Sequence, residues 1–199
     1  QQDYFEQNLD VNIKNLSSSI QIMGQQLCSS PTIGFLLNYN FNKSFDSIFE
    51  NIIIDIEQNY TSNNSDESNS IKLDRMINLA RDRGSTVYTS SKFSNNICII
   101  VSKNQSAFND NDTNNLLNIH ERRNFIEIIC VENFTEIYKI MNKLFTNYSY
   151  KETKKIQTLL SFTDKTFDSE IHQLASLIGA YRLIDSNYVL RRHPMEWFD

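Results

Sequence analysis

The sequence is poor in glycine and proline, with four glycines and two prolines among 199 residues. These residues punctuate short strands and tight turns, so their scarcity argues against an all-β sandwich and favours long helices with a modest sheet. The glycines stand at positions 24, 34, 84 and 179. Because both common glycine-rich phosphate loops need closely spaced glycines, neither motif is present.

Cysteine and histidine are equally scarce, with three residues of each. The cysteines are odd in number and widely spaced, and Cys98 and Cys130 lie inside apolar runs, which predicts buried reduced thiols and an intracellular protein. A Cys–His nucleophilic pair stays open on sequence alone. The remaining cysteine and the three histidines are scattered, which does not indicate a metal site: they are Cys28, His120, His172 and His193.

Close carboxylates near a predicted strand end occur in one place, at Asp110 and Asp112. Within an Asn-Asp-Asn-Asp run, these residues are more typical of a turn than of magnesium ligands. We therefore expect no metal and no cofactor.

Long apolar runs are absent, and a membrane span would need about 18 such residues in a row, so none is expected. The net charge is −5 and uneven: residues 1–70 carry 2 basic and 9 acidic side chains, whereas residues 71–150 carry 10 and 8. Residues 151–199 carry 7 of each. Most of the chain is thus near neutral and tolerates a phosphate backbone nearby, but it has no basic nucleic-acid tail.

The clearest pattern is a pair of apolar, β-branched runs, at residues 97–101 and 125–131, separated by a mostly polar connection. They predict two buried parallel strands, with a third strand at 32–37 and a short one at 86–89. Helical spacing of apolar residues covers four stretches before residue 150, namely 3–28, 44–59, 71–83 and 134–145. We expect an α/β fold with a small, mainly parallel sheet flanked by helices.

Beyond the break at 148–150, apolar spacing predicts two helices, 153–162 and 168–184, without strands between them. We therefore expect two units: an α/β domain over residues 1–150 with its N-terminal helix, and a helical unit over residues 151–199.

Element order from Thr32 to Phe145 resembles the nuclease domain of the XPF family of structure-specific endonucleases. That family carries Asp after its first strand, Glu-Arg-Lys-x-x-x-Asp at the end of a later strand, and a further strand ending in Glu. The strand that ends at Glu132 matches the last element. The catalytic positions are replaced, by Asn38 for the first Asp and by Ser102, Lys103, Asn104 and Phe108 for the later motif.

The resemblance implies a nuclease-like fold without activity, because neutral side chains neither neutralise a divalent cation nor activate water. It further implies a non-catalytic scaffold that pairs with an ERCC-like partner, helps bind branched DNA in meiotic crossover formation, and resides on chromosomes in the nucleus. The C-terminal unit takes the place of a degenerate helix-hairpin-helix. DNA contacts are expected from the basic residues of that unit: Lys151, Lys154, Lys155, Arg182, Arg191 and Arg192.

A second interpretation stays open. The long amphipathic stretch over residues 3–28 suits core packing, but it is also compatible with a signalling helix on a regulatory or ligand-sensing α/β module. The sequence does not decide between these hypotheses.

Overall fold

A computed structural model describes residues 9–21, 33–37, 46–59, 67–90, 98–108, 125–147, 158–162, 165–180 and 182–185. The described helices are α1 (Leu9–Gln21), α2 (Asp46–Asn59), α3 (Glu67–Asp82), α4 (Phe134–Asn147) and α5 (Asp168–Leu177). The strands are β1 (Ile33–Leu37), β2 (Thr86–Thr89), β3 (Cys98–Lys103), β4 (Phe125–Val131), β5 (Thr158–Ser161) and β6 (Arg182–Asp185). The α/β class expected from the sequence is confirmed at this level.

The main sheet has the strand order β1-β4-β3-β2. Strands β1 and β3 both run parallel to β4, whereas β2 runs antiparallel to β3. The predicted parallel pairing of the two strongest apolar runs is thus confirmed. Every residue of the central strand β4 is buried, which is expected of a parallel strand with both of its faces covered.

Helices cover both faces of the sheet. On the first face, α1 and α2 pack against β3 and β4 through a cluster that includes Ile20, Ile56 and Ile126. On the second face, α3 packs through one cluster around Ile100 and Phe125, and α4 and α5 pack through another around Ile129. None of the helices in the described part of the chain has the length and apolar character that a bilayer crossing requires.

Helix α1 belongs to this core. Ile13 and Ile20 are buried, and they lie in the same cluster as Ile52 and Ile56 of α2. Ser17 is also fully buried in α1. The described part of the predicted N-terminal helix therefore contributes a packed layer of the fold.

The predicted C-terminal helices are corrected by the structure. The first includes strand β5, and the second ends early, so that β5, α5 and β6 form a strand–helix–strand unit with a parallel two-stranded sheet. Gly179 has φ 69°, and the amides of Gly179 and Ala180 donate to the carbonyls of Ser176 and Ala175. This Schellman motif ends α5 and frees the chain to enter β6.

Helix α3 ends in the same way, as the position of Gly84 after its apolar pattern predicts. Gly84 has φ 76°, its amide donates to the carbonyl of Arg81, and the amide of Ser85 donates to that of Ala80. The left-handed cap turns the chain directly into β2.

Replacing Gly84 with alanine is expected to lower the free energy of unfolding by about 1 kcal/mol, because a Cβ is disfavoured at positive φ. No atom lies within 4 Å of the added Cβ, so the effect is one of backbone conformation alone. Urea denaturation measures it. Gly84→Asn is the matched variant and should lose less, since asparagine tolerates this conformation; equal losses in both variants would contradict the cap.

Candidate functional site

A single carboxylate lies inside the described main sheet, that of Glu127 in the middle of β4. Its side chain is on the second face, between Phe125 and Ile129, and thus between the two apolar clusters of that face. Glu127 is 1% exposed. A buried carboxylate is unfavourable unless hydrogen-bond donors surround it, so its neighbours decide what it does.

Three donors converge on the Glu127 carboxylate. The hydroxyl of Ser102 and the backbone amide of Ala107 donate to Oε1, each at 2.7 Å. The hydroxyl of Ser106 donates to Oε2, also at 2.7 Å. Ser102 lies on β3 on the same face as Glu127, because Ile100 pairs with Glu127 and Ser102 follows two residues later. Both carboxylate oxygens are therefore supplied by the chain itself.

A second layer of hydrogen bonds orients these donors toward the carboxylate. The amide of Phe108 donates to the Ser106 hydroxyl at 3.1 Å, so the hydroxyl hydrogen is left for Glu127. The Ser85 hydroxyl lies 3.0 Å from that of Ser102. If Ser102 donates to Glu127, Ser85 is the donor in this pair, and the chain of donors ends at the carboxylate.

The segment over residues 104–108 closes this site. Asn104 has φ 58°, a conformation that asparagine adopts more readily than most residues, and its amide donates to the carbonyl of Cys130 at 2.9 Å. The chain then folds back so that Ala107 and Phe108 are buried. Arg83, after α3, donates from Nη1 to the carbonyl of Ala107. We call residues 104–108 the closing loop.

In this arrangement the carboxylate fastens the closing loop to the sheet. A catalytic acid or base must reach its substrate within hydrogen-bond distance, directly or through a water molecule. Glu127 is 1% exposed and accepts from three internal donors, so in the described structure it holds the loop and presents no oxygen to solvent.

The positions singled out at the nuclease-like strand end are not brought together as a site. Ser102 is buried in the Glu127 network, whereas Lys103 and Asn104 are exposed. Phe108 lies in the core with its ring centroid 5.7 Å from that of Phe125. Asn38 lies outside the described residues.

Of the six basic residues expected to contact DNA, Arg182 is described, and it is half-buried at the start of β6. The others lie outside the described residues, and so do Cys28, two histidines and the acidic turn: Lys151, Lys154, Lys155, Arg191, Arg192, Cys28, His120, His193, Asp110 and Asp112. In the described ranges, no three His, Cys, Asp or Glu side chains are placed to hold a metal ion.

Both described cysteines are free and buried. Burial raises the pKa of Cys98 from 9.0 to about 12, against an opposing effect of Arg81. Burial likewise raises the pKa of Cys130 from 9.0 to about 12, against an opposing effect of Lys103. The thiolate is the reactive form of cysteine, so neither residue is poised as a nucleophile near neutral pH.

We expect Cys98 and Cys130 to resist an aromatic disulfide reagent in the folded protein at pH 8 and to react together in urea. Cys28→Ser is the background for this measurement, so that every released chromophore reports a described thiol. Prompt reaction of either thiol without denaturant would contradict their burial.

Since the folded pKa values exceed the unfolded ones, the thiols stabilise the fold below about pH 9 and lose this effect between pH 9 and 12.

Sequence reasoning missed the central residue of this network. Glu127 carried one usable signal, namely a charged residue in the middle of an otherwise apolar, β-branched strand. A buried strand tolerates such a residue only with partners. Ser85 and Ser106 gave no signal, because a serine before a strand or in a loop is ordinary.

Comparison with known proteins gives a fold likeness and nothing closer. No family model matches the chain, and no curated protein matches it. Among solved structures, a NAD-dependent benzaldehyde dehydrogenase from Corynebacterium glutamicum is similar over 92% of this chain and 39% of its own, with TM-score 0.58 and 10% identity. A point mutant of an aldehyde dehydrogenase from Bacillus cereus is similar over 90% of this chain and 35% of its own, with TM-score 0.56 and 11% identity.

PnpE from Pseudomonas sp. WBC-3 is similar at TM-score 0.56 and 14% identity, over 90% of this chain and 36% of its own. The chain thus spans somewhat more than a third of the length of these structures. At such identities the likeness concerns the fold alone. The resemblance to XPF-family nucleases is wrong, because the benzaldehyde dehydrogenase and the aldehyde dehydrogenase that share this fold are not nucleases.

Proposed function

We propose that this chain is a non-catalytic α/β protein that acts by binding a protein partner. The carboxyl ends of β1, β3 and β4 lie at one edge of the sheet, where α/β proteins commonly place chemistry. The observation that carries the proposal is the sealed Glu127 in the middle of β4: its carboxylate holds the closing loop, which follows the carboxyl end of β3, with both oxygens satisfied internally.

Exposed apolar side chains supply the second support. Val11 of α1 and Ile54 of α2 are exposed on the helices that cover the first face of the sheet. Tyr138 of α4 and Leu177 of α5 are exposed on the helices that cover the second face. Leu177 is 57% exposed, the largest value among them. Single exposed apolar residues are common on any protein, so the proposal depends on whether replacing them with charged residues abolishes partner binding.

The ERCC-like identity of the partner, the nuclear setting and the DNA contacts were expected from the nuclease resemblance. Without that resemblance they have no structural support of their own, and we retain only the coarser proposal of a heterologous protein partner.

Leu177→Asp in the tagged full chain tests this proposal. We expect the variant to fold as the wild type does and to lose a partner that co-purifies stoichiometrically with the wild type, since a charge desolvated at an interface weakens binding. Gln173→Asp is the matched control, because it adds the same charge at an exposed position of α5. The measurements are the mass of each purified sample in solution and the masses of the individual chains that elute with it.

Identical partners from the wild type and from both Leu177→Asp and Ile54→Asp would overturn the proposal. So would a wild type that elutes as a monomer with no stoichiometric companion. For Ile54, the control is Asn51→Asp, which lies at an exposed position of the same helix.

A ligand-sensing module is the second candidate, and the likeness to dehydrogenases favours it, since one of them is NAD-dependent. NAD is therefore the probe. A concentration-dependent rise in the melting temperature with NAD, and none with nicotinamide, would support this candidate against the first. No rise in the melting temperature with either compound would count against this second candidate.

A further inference from the structure

The helices that cover the first face of the sheet are the acidic ones. Helices α1 and α2 together have five acidic side chains and one basic side chain, that of Lys14. The helices on the second face, α3, α4 and α5, together have six acidic and five basic side chains. The first layer is therefore the one whose charge suits a basic partner.

Helix α2 carries most of this charge, since it has four acidic residues and no basic residue between Asp46 and Asn59. One side of the helix is buried in the first-face cluster, through Ile52 and Ile56 among others. The opposite side is exposed, and its residues recur at helical spacing and so lie on one face. We call these five residues the outer face of α2: Ser47, Glu50, Asn51, Ile54 and Gln58.

Ile54 lies in the middle of the outer face and is 46% exposed. Glu50 is one turn before it, is exposed, and has no hydrogen-bond or ion-pair partner among the described residues. Asp55 is half-buried beside it and accepts from the side-chain amide of Asn59 at 3.0 Å, a neutral donor. An exposed apolar side chain is thus flanked by carboxylates that no cation of the described chain neutralises.

We propose that the outer face of α2 binds a basic, amphipathic segment of the protein partner. Ile54 packs between apolar side chains of this segment, and its lysine or arginine side chains lie over Glu50 and Asp55. The inference rests on the proposed function and adds the chemistry of the partner at one contact site. A buried apolar centre with a polar rim is the common arrangement of such an interface, and opposite charges across it speed association and exclude wrong partners.

The other exposed apolar residues lack this setting. Val11 of α1 is followed three residues later by Lys14, and Tyr138 of α4 is followed directly by Lys139. Leu177 of α5 has no carboxylate within the preceding turn. Ile54 is therefore the exposed apolar residue whose surroundings favour a basic partner.

The test titrates the folded full chain into a labelled helical peptide of leucine and lysine, about 18 residues long, and follows fluorescence anisotropy. A peptide with glutamate in place of lysine is the matched probe. We expect saturable binding of the lysine peptide that weakens as salt is added, because salt screens the charges. The glutamate peptide should not bind.

Asn51 allows a change of either sign at one exposed position of the outer face. Asn51→Lys should weaken binding of the lysine peptide by about tenfold, because like charges then meet, whereas Asn51→Asp should not weaken it. Ile54→Ala should also weaken it by about tenfold, since the apolar anchor is lost. Gln173→Lys is the control and should bind as the wild type does, because it adds the same charge at an exposed position of α5.

Equal affinities for Asn51→Lys and Gln173→Lys would overturn the inference, since the peptide would then respond to net charge alone. So would an unchanged affinity in Ile54→Ala. A partner that is lost in Leu177→Asp but still co-purifies with Asn51→Lys would overturn this inference and leave the proposed function intact. A wild type without any stoichiometric partner would overturn both.

Discussion

Replacing Glu127 with alanine is expected to lower the free energy of unfolding by about 3–5 kcal/mol. The change removes the acceptor of three hydrogen bonds in a site with 1% exposure. The two serine hydroxyls can rotate, but the amide of Ala107 is fixed by the backbone and stays buried without an acceptor. Domains of this kind are stable by about 5–15 kcal/mol, so the loss is a large fraction of the total.

Glu132→Ala is the matched control, since Glu132 is the exposed glutamate directly after the same strand. Its replacement should change stability by no more than about 0.5 kcal/mol. Urea denaturation of both variants gives the comparison. A residue kept for catalysis is commonly replaced with little loss or even a gain of stability. A Glu127→Ala variant as stable as the wild type would therefore contradict the structural role and reopen a catalytic one.

Glu127→Gln separates shape from acceptor capacity. The amide oxygen can still accept from Ser102 and Ala107, but the amide nitrogen would face the Ser106 hydroxyl, which already accepts from Phe108. That hydroxyl must turn away, and its hydrogen loses the buried acceptor. We expect an intermediate loss of about 1–2 kcal/mol.

Ile56→Ala is expected to lower the free energy of unfolding by about 2–5 kcal/mol. Ile56 of α2 is fully buried in the first-face cluster, where α1 and α2 pack on the sheet. Truncation removes its apolar contacts and leaves a cavity that the close-packed helices fill only in part. Urea denaturation again measures the loss.

Ile54 provides the control within the same helix, because the same truncation there removes a side chain that is 46% exposed. Ile54→Ala should stay within about 0.5 kcal/mol of the wild type. Similar losses for Ile54→Ala and Ile56→Ala would contradict the orientation of α2 on the sheet.

Much of the main sheet follows from local pattern. Mostly apolar, β-branched runs predicted β3 and β4, because a strand buried on both faces needs no polar alternation. Gly84 correctly predicted where α3 ends. The same reasoning failed after residue 150, where short apolar runs fit either period. Strand β5 exists because it pairs with β6, and that pairing is a tertiary fact that a four-residue stretch does not encode locally.

The site depended on contacts that no spacing reveals. The apolar residues around Glu127 set it apart from the exposed Glu132, but only the fold shows which donors its carboxylate accepts from. The sequence places Ser102 near the end of β3, where the nuclease family has a glutamate. The structure shows that its hydroxyl serves Glu127 instead. Element order and one strand–loop–strand block ending at Glu132 carried the nuclease resemblance, and such orders of strand and helix recur across unrelated α/β proteins.

The N-terminal helix illustrates how packing narrows an open question. Its amphipathic pattern suited either core packing or signalling. The burial of Ile13 and Ile20 in a cluster with α2 makes the described part of this helix one layer of the fold. Burial of this kind favours a role in stability and supports the partner-binding proposal over a detachable signalling helix.

Hydrogen exchange at the amide of Ala107 tests the closing loop most directly. This amide donates to Glu127 at 2.7 Å, whereas Gln105, two residues earlier, is exposed. We expect Ala107 to exchange as slowly as the amides of β3 in the wild type, and Gln105 to exchange quickly. Rapid exchange at both residues would show that the loop does not close over Glu127, and would contradict the sealed carboxylate on which the proposed function depends.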